Sequence, residues 1–247
     1  MKIIISPAKK MRTDLEAVAP CGLPVYLEAT KSILATLRAM SFDELKRLWG
    51  CNDEIAELNF QRLQSMELEG AATPAIEAYE GIQYKYMAPS VFANGEFAYV
   101  QQHLRILSGF YGILKPLDAV TPYRLEMQAK LKVDGAKHLY DFWGRRLYEE
   151  LTRDDSIIIN LASKEYSVCI EKYLQPKDSF ITCVFAELSK GKVVQKGTYA
   201  KMARGEMVRF MAERGLTEVE DLKAFSYLNY HFADEISSPD QFILLRG

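Results

Sequence analysis

The chain has 247 residues, 49% of them hydrophobic and 26% charged, with a formal net charge of −2. This composition is ordinary for a globular protein and is enough to bury a sizeable core. It excludes a global electrostatic pull on nucleic acid, so binding of an anion has to come from a local basic patch.

No apolar run approaches membrane-spanning length, and Met1-Lys2 leads into a strand rather than a signal peptide, so the expected setting is the cytoplasm. Cys21, Cys51, Cys169 and Cys183 are scattered without CxxC spacing, as in a reduced cytosolic protein with free thiols. His103, His138 and His231 fall in no HxH or HExxH pattern. Neither a metal site nor a cofactor motif is read.

In chain order, Lys2 to Ser6 reads as a buried strand that turns at Pro7, with Ser6 and Lys9 at its carboxyl end, where sheets containing parallel strands bind ligands. Pro24 to Met40 is a helix with Leu27, Ile33, Leu34 and Leu37 inward. Ser41 and Glu44 form a capping box for the next helix, and Asn52 caps a further one to about Met66. This acidic third reads as scaffold. Thr73-Pro74 is expected to open a short helix, followed by the aromatic cluster Tyr79, Tyr84 and Tyr86.

The central stretch runs from Gln101 to Gln128. Leu104 and Leu107, with Ile106, predict a helix that Ser108-Gly109 stops; Gly112 turns the chain again, and Pro116 and Pro122 stiffen the segment up to Arg124. His103, Arg105, Lys115 and Arg124 surround backbone amides that the glycines would free, an arrangement suited to an anion. Ala136 to Leu151 predicts one amphipathic helix with Gly144 in its middle. Ile157 to Leu161 is a buried strand, and Ser163 caps a helix from Lys164 to Leu174, so Ser163 and Lys164 repeat the Ser6 and Lys9 arrangement. Two such junctions on neighbouring strands would share one rim. Ser179 to Ala186 and Lys192 to Lys196 predict a hairpin. Tyr199 to Arg214 predicts a basic helix with Lys201, Arg204 and Arg209 on one side, and Gln241 to Leu245 a last strand. Without repeats or linkers, the chain is expected to be one α+β domain, a mixed sheet surrounded by helices.

LRILSGFYGILKPLD followed by PYRLEM resembles the DUF328/UPF0246 (YaaA-like) family. SPAK at Ser6 to Lys9, QQHLR at Gln101 to Arg105, FWG at Phe142 to Gly144, NLASKEY at Asn160 to Tyr166 and AKMARGEMVRF at Ala200 to Phe210 match it in the same order. The resemblance implies a bacterial peroxide-stress protein associated with limiting free iron, and a DNA-binding role through a helix-hairpin-helix-like element, here about residues 96–128. Two departures stand out: Gly109 and Gly112 are separated by two residues rather than one, and Pro116 sits where a second helix would start.

The functional expectation is therefore a protein that binds DNA, duplex or branched, by structure rather than sequence. Its anion-binding set is Ser6, Lys9, His103, Arg105, Ser108, Gly109, Tyr111, Gly112, Lys115, Tyr123, Arg124, Ser163, Lys164, Lys201, Arg204 and Arg209. The alternative is an enzyme acting on a small phosphorylated or nucleobase-like anion in the same cleft, for which no carboxylate pair, nucleophile elbow, P-loop or metal triad is read in the sequence. A deep closed pocket favours the enzyme, and an open groove favours DNA.

Overall fold

The computed structural model describes residues 1–13, 18–70 and 73–247. The run Lys2–Ile5 forms β1, with Ile3, Ile4 and Ile5 fully buried, as a β-branched strand covered on both faces should be. Lys10–Met11 (β2) is the next element. Then come the scaffold helices α1 (Leu27–Arg38), α2 (Phe42–Trp49) and α3 (Asp53–Ser65). Their starts are chemically specified: Ser41 and Glu44 cap each other, and Asn52 accepts from the Ile55 amide. Thr73–Pro74 is the short strand β3, with the helix (α4) confined to Ala75–Ala78; β4 (Tyr79–Glu80), α5 (Ile82–Met87) and α6 (Asn94–His103) complete this part.

The central stretch differs from its sequence reading. The helix ends at His103, and Leu104–Ser108 is a strand, β5, which turns through Gly109–Tyr111 into β6 (Gly112–Leu114) and continues to β7 (Ala119–Val120). Leu104 and Leu107 imitated a helical stripe because all five residues of β5 are buried, so no alternation marked the strand. Residues 96–128 hold one helix and a β-hairpin, without the second helix of a helix-hairpin-helix. The expected helix Ala136 to Leu151 is likewise two, α7 (Leu139–Trp143) and α8 (Arg146–Leu151), because Gly144 at φ 51° and ψ −135° leaves helical space.

The remainder is β8 (Ile157–Leu161), α9 (Lys164–Glu171), the hairpin β9 (Ser179–Ser189) and β10 (Lys192–Val194), the long helix α10 (Gly197–Arg214), β11 (Tyr230–Phe232) and β12 (Gln241–Arg246). Among the described residues the main sheet has the order β11-β12-β9-β8-β1-β5-β6, with β10 on β9. Strands β12, β9, β8, β1 and β5 run parallel, while β6, β10 and β11 are antiparallel at the margins. It is the mixed sheet with surrounding helices expected of the α+β class.

One topological detail positions the site. From β1 the chain moves to β5 on one side, then crosses back to build β8, β9 and β12 on the other. The order thus reverses between β1 and β8, and in sheets of parallel strands the crevice beyond the carboxyl ends at such a reversal is open to a ligand. Among the described residues no helix is long and apolar enough to cross a membrane.

Candidate anion-binding cavity

A cavity of about 350 Å³ lies beyond the carboxyl ends of β1 and β8. Its walls come from four places: Ser6 to Lys10 after β1, Glu80 to Tyr84 at the start of α5, Tyr123 to Glu126, and Ser163, Glu165 and Tyr166 around the start of α9. Lys201 and Arg204 of α10 close it. Gly205 makes that closure possible, since a Cβ there would stand 2.2 Å from the Gln83 carbonyl oxygen and 2.8 Å from the Met87 amide. The absent side chain lets α10 lie against the backbone of α5, which brings Arg204 to the wall formed by Gly81 to Tyr84.

The floor is a set of hydrogen-bonded hydroxyls. The Ser163 amide donates to Ser6 Oγ (2.8 Å), which lies 3.1 Å from Ser163 Oγ, so this serine pair ties the two strand ends together instead of capping α9. Tyr84 donates to the Ser6 carbonyl at 3.0 Å. The Tyr123 hydroxyl lies 2.6 Å from Ser108 Oγ and 2.7 Å from the Tyr79 hydroxyl. Burial pushes the Tyr79, Tyr84 and Tyr123 phenols up, so they act as neutral donors and acceptors.

Charge on the walls is unevenly paired. Lys10 bridges Glu80 at 2.8 Å, and Lys9 bridges Glu126 at 2.8 Å. Arg124 shares Glu126 at 3.7 Å and donates to the Trp49 carbonyl, while its Nε is enclosed without a partner. Arg204 has no ion pair among the described residues, and its Nε is also enclosed without a partner. Burial pulls the Arg204 pKa down, the cost of holding a guanidinium away from water. Lys201, three residues earlier on the same helix, is exposed at the rim. Burial pushes the Glu165 carboxyl up, opposed by the Gln128 amide and reinforced by Glu126. An unpaired, half-buried guanidinium attracts an anion strongly, because the ligand would supply the charge partner that the protein does not.

Of the residues proposed from the sequence, Ser6, Lys9, Tyr123, Arg124, Ser163, Lys201 and Arg204 meet at this cavity. Ser108 stands behind it through Tyr123. In the Gly109 to Gly112 turn the amides of Phe110 and Tyr111 are taken by Ser108 Oγ, and the Gly109 carbonyl accepts from Trp143. Gly109, Tyr111 and Gly112 are core residues. His103 is buried, with Nδ1 on the Met1 carbonyl and its ring against Tyr99. Arg105 donates to the Gln101 and Leu104 carbonyls, and with Lys115 it lines a separate small pocket beside Asp118. Lys164 is paired with Glu171 and Arg209 with Glu213.

Sequence reasoning missed Glu126, Glu165, Tyr166 and the α5 wall with Gln83. Glu126 lies inside PYRLEM and Glu165 inside NLASKEY, both motifs singled out for other residues. A search for the carboxylates that accompany cations in each motif would have found them. Gln83 carries no such signal, and only its buried, unpartnered Nε2 shows its position.

Comparison with known proteins agrees with this sequence over its length. The family model described as "Peroxide stress protein YaaA" matches residues 1–236. A UPF0246 protein of Agathobacter rectalis is 56% identical over 246 residues, covering 100% of this chain and 99% of the relative. Others from Desulfitobacterium hafniense and Pediococcus pentosaceus are 54% and 49% identical over 247 residues, each covering 100% of this chain and 98% of the relative. The chain therefore belongs to the YaaA (UPF0246) family of peroxide stress proteins.

Proposed function

We propose that this protein binds DNA through its phosphates at the cavity between β1 and β8. In the peroxide-stress setting that its family name gives, DNA held in this way is kept from damage driven by free iron. The single observation that carries the reading is Arg204, half-buried on the cavity wall with an enclosed Nε and no carboxylate partner among the described residues. Lys201 at the rim adds charge that the paired Lys9 and Lys10 do not, and Arg124, which shares Glu126 with Lys9, lines the same cavity. Contacts of this kind neutralise backbone and read structure, not base sequence.

The test is fluorescence anisotropy with a labelled duplex at low salt. Arg204→Gln and Arg124→Gln should each weaken binding about tenfold or more, since each removes a charge-assisted contact to phosphate. Unchanged affinity in both variants, with far-ultraviolet circular dichroism intact, sinks the assignment of this cavity.

A second reading, an enzyme acting on a small phosphorylated or nucleobase-like anion, is favoured by one feature. Glu165 stands on the cavity wall with its pKa raised by burial, a carboxyl placed where general acid–base chemistry on a bound anion could use it.

A further inference from the structure

We propose that the cavity seats a single nucleotide unit, with its phosphate on Arg204 and Lys201, its base among Tyr84, Tyr123 and Tyr166, and an exocyclic amino group donated to Glu165. This rests on the anion-binding reading of the cavity and names what enters it. Size is the first argument. About 350 Å³ lies near the lower end of the range for small-molecule pockets, roughly 300–1,000 Å³. That is room for one nucleotide but not for a duplex whose major groove alone is about 12 Å wide. A strand can therefore engage the interior only with a nucleotide unstacked from its neighbours.

The second argument is the composition of the walls. Tyr84, Tyr123 and Tyr166 line the cavity alongside Ala8, Ile82 and Leu125, an apolar and aromatic wall of the kind that encloses the flat part of a small ligand. The third is charge separation. Glu126 and Lys9 are the charged groups that act on Glu165, whereas no carboxylate acts on Arg204. Glu126 is occupied by Lys9 and Arg124, while Glu165 accepts the Gln128 amide and lies near the Met127 amide. A carboxylate has about four acceptor sites, so Glu165 retains capacity for a donor from a ligand. A ligand made only of phosphate satisfies the arginine and repels this carboxylate. A nucleotide bearing an amino group satisfies both.

The experiment is calorimetric titration of the full chain with inorganic phosphate, dAMP, dCMP and dTMP, and competition of each against a labelled single strand and the matching duplex. The expected result is that dAMP and dCMP bind about tenfold more tightly than dTMP, which offers no exocyclic amine, and more tightly than phosphate. Glu165→Gln should cut that preference to about threefold or less and leave phosphate binding intact. Arg204→Gln should weaken every phosphate-bearing ligand. The single strand should compete better than the duplex, because its bases need not be unpaired. If phosphate binds and depends on Arg204 but no nucleotide exceeds it, the nucleotide inference fails while the anion site stands. If mononucleotides bind with the stated preference but neither strand competes, the inference holds for a free nucleotide and the DNA reading fails. If neither phosphate nor any nucleotide binds, both fail.

Discussion

Asp118 is a residue whose burial is measurable from outside the molecule. Its side chain is buried beside Arg105 and Lys115, and Oδ2 accepts the Lys115 amide at 2.8 Å. Burial outweighs these partners and pushes the carboxyl from its usual 3.8 up to about 6. A raised carboxyl means that the folded chain holds a proton there which the unfolded chain has already released. Stability is therefore highest below the window between the two values and falls as pH rises through it. Asp118→Asn keeps an acceptor for the Lys115 amide and removes the charge. In urea denaturation from about pH 4 to 8, the variant should lose this fall and exceed the parent above pH 6, by on the order of 1–3 kcal/mol. A parent and variant with parallel pH profiles would show that Asp118 does not titrate in this window. The two interior thiols make a contrasting case: burial pushes Cys169 and Cys183 up to about 12, so they stay protonated and make poor nucleophiles.

At the scale of elements, close backbone approaches bring the cavity walls together. A Cβ on Gly205 meets the Gln83 carbonyl oxygen at 2.2 Å, and one on Gly109 meets the Leu125 carbonyl oxygen at 2.7 Å. In both cases the obstacle is main chain, which cannot swing aside as a side chain can. Gly205→Ala should push α10 off α5 and cost about 2–4 kcal/mol in chemical denaturation, with weaker ligand binding as Arg204 retreats. Gly109→Ala should displace Leu125 to Met127 and with them Glu126. These approaches also mark what the sequence could and could not disclose. Caps at Ser41 and Asn52, the Ile-rich strands β1 and β8, and the basic helix α10 were legible because their signals are local. Strand β5 was not, because its identity comes from pairing with β1, a partner distant in the chain. Gly144 read as a costly helical glycine, and the structure shows that it breaks the helix through a positive φ.

At the scale of the whole molecule, a chain of net charge −2 must concentrate its attraction for phosphate in one place. The sequence pointed to two basic regions, and the fold separates their roles. Around Lys201 and Arg204, two other cations between Lys190 and Arg214 are paired, Lys196 with Glu187 and Arg209 with Glu213, and Arg214 lies over the Phe210 ring. Lys201 and Arg204 instead turn toward the switch between β1 and β8, where Ser6 and Ser163 meet. The strand-end rule had placed the two serine junctions on one rim, but the burial of Arg204 depends on packing of α10 against α5 that no local pattern encodes. This division makes a last prediction about salt. Three cations of the cavity, Arg124, Lys201 and Arg204, set a ceiling of about −3 on the slope of log affinity against log salt for duplex DNA. Lys201→Glu should flatten that slope by about 1 or more and lower affinity at low salt. The double charge reversal Lys190→Glu with Lys192→Glu, on the exposed β9–β10 hairpin, should leave the slope within experimental error. The opposite ranking would move the DNA contact to the hairpin and leave the cavity to a small ligand alone.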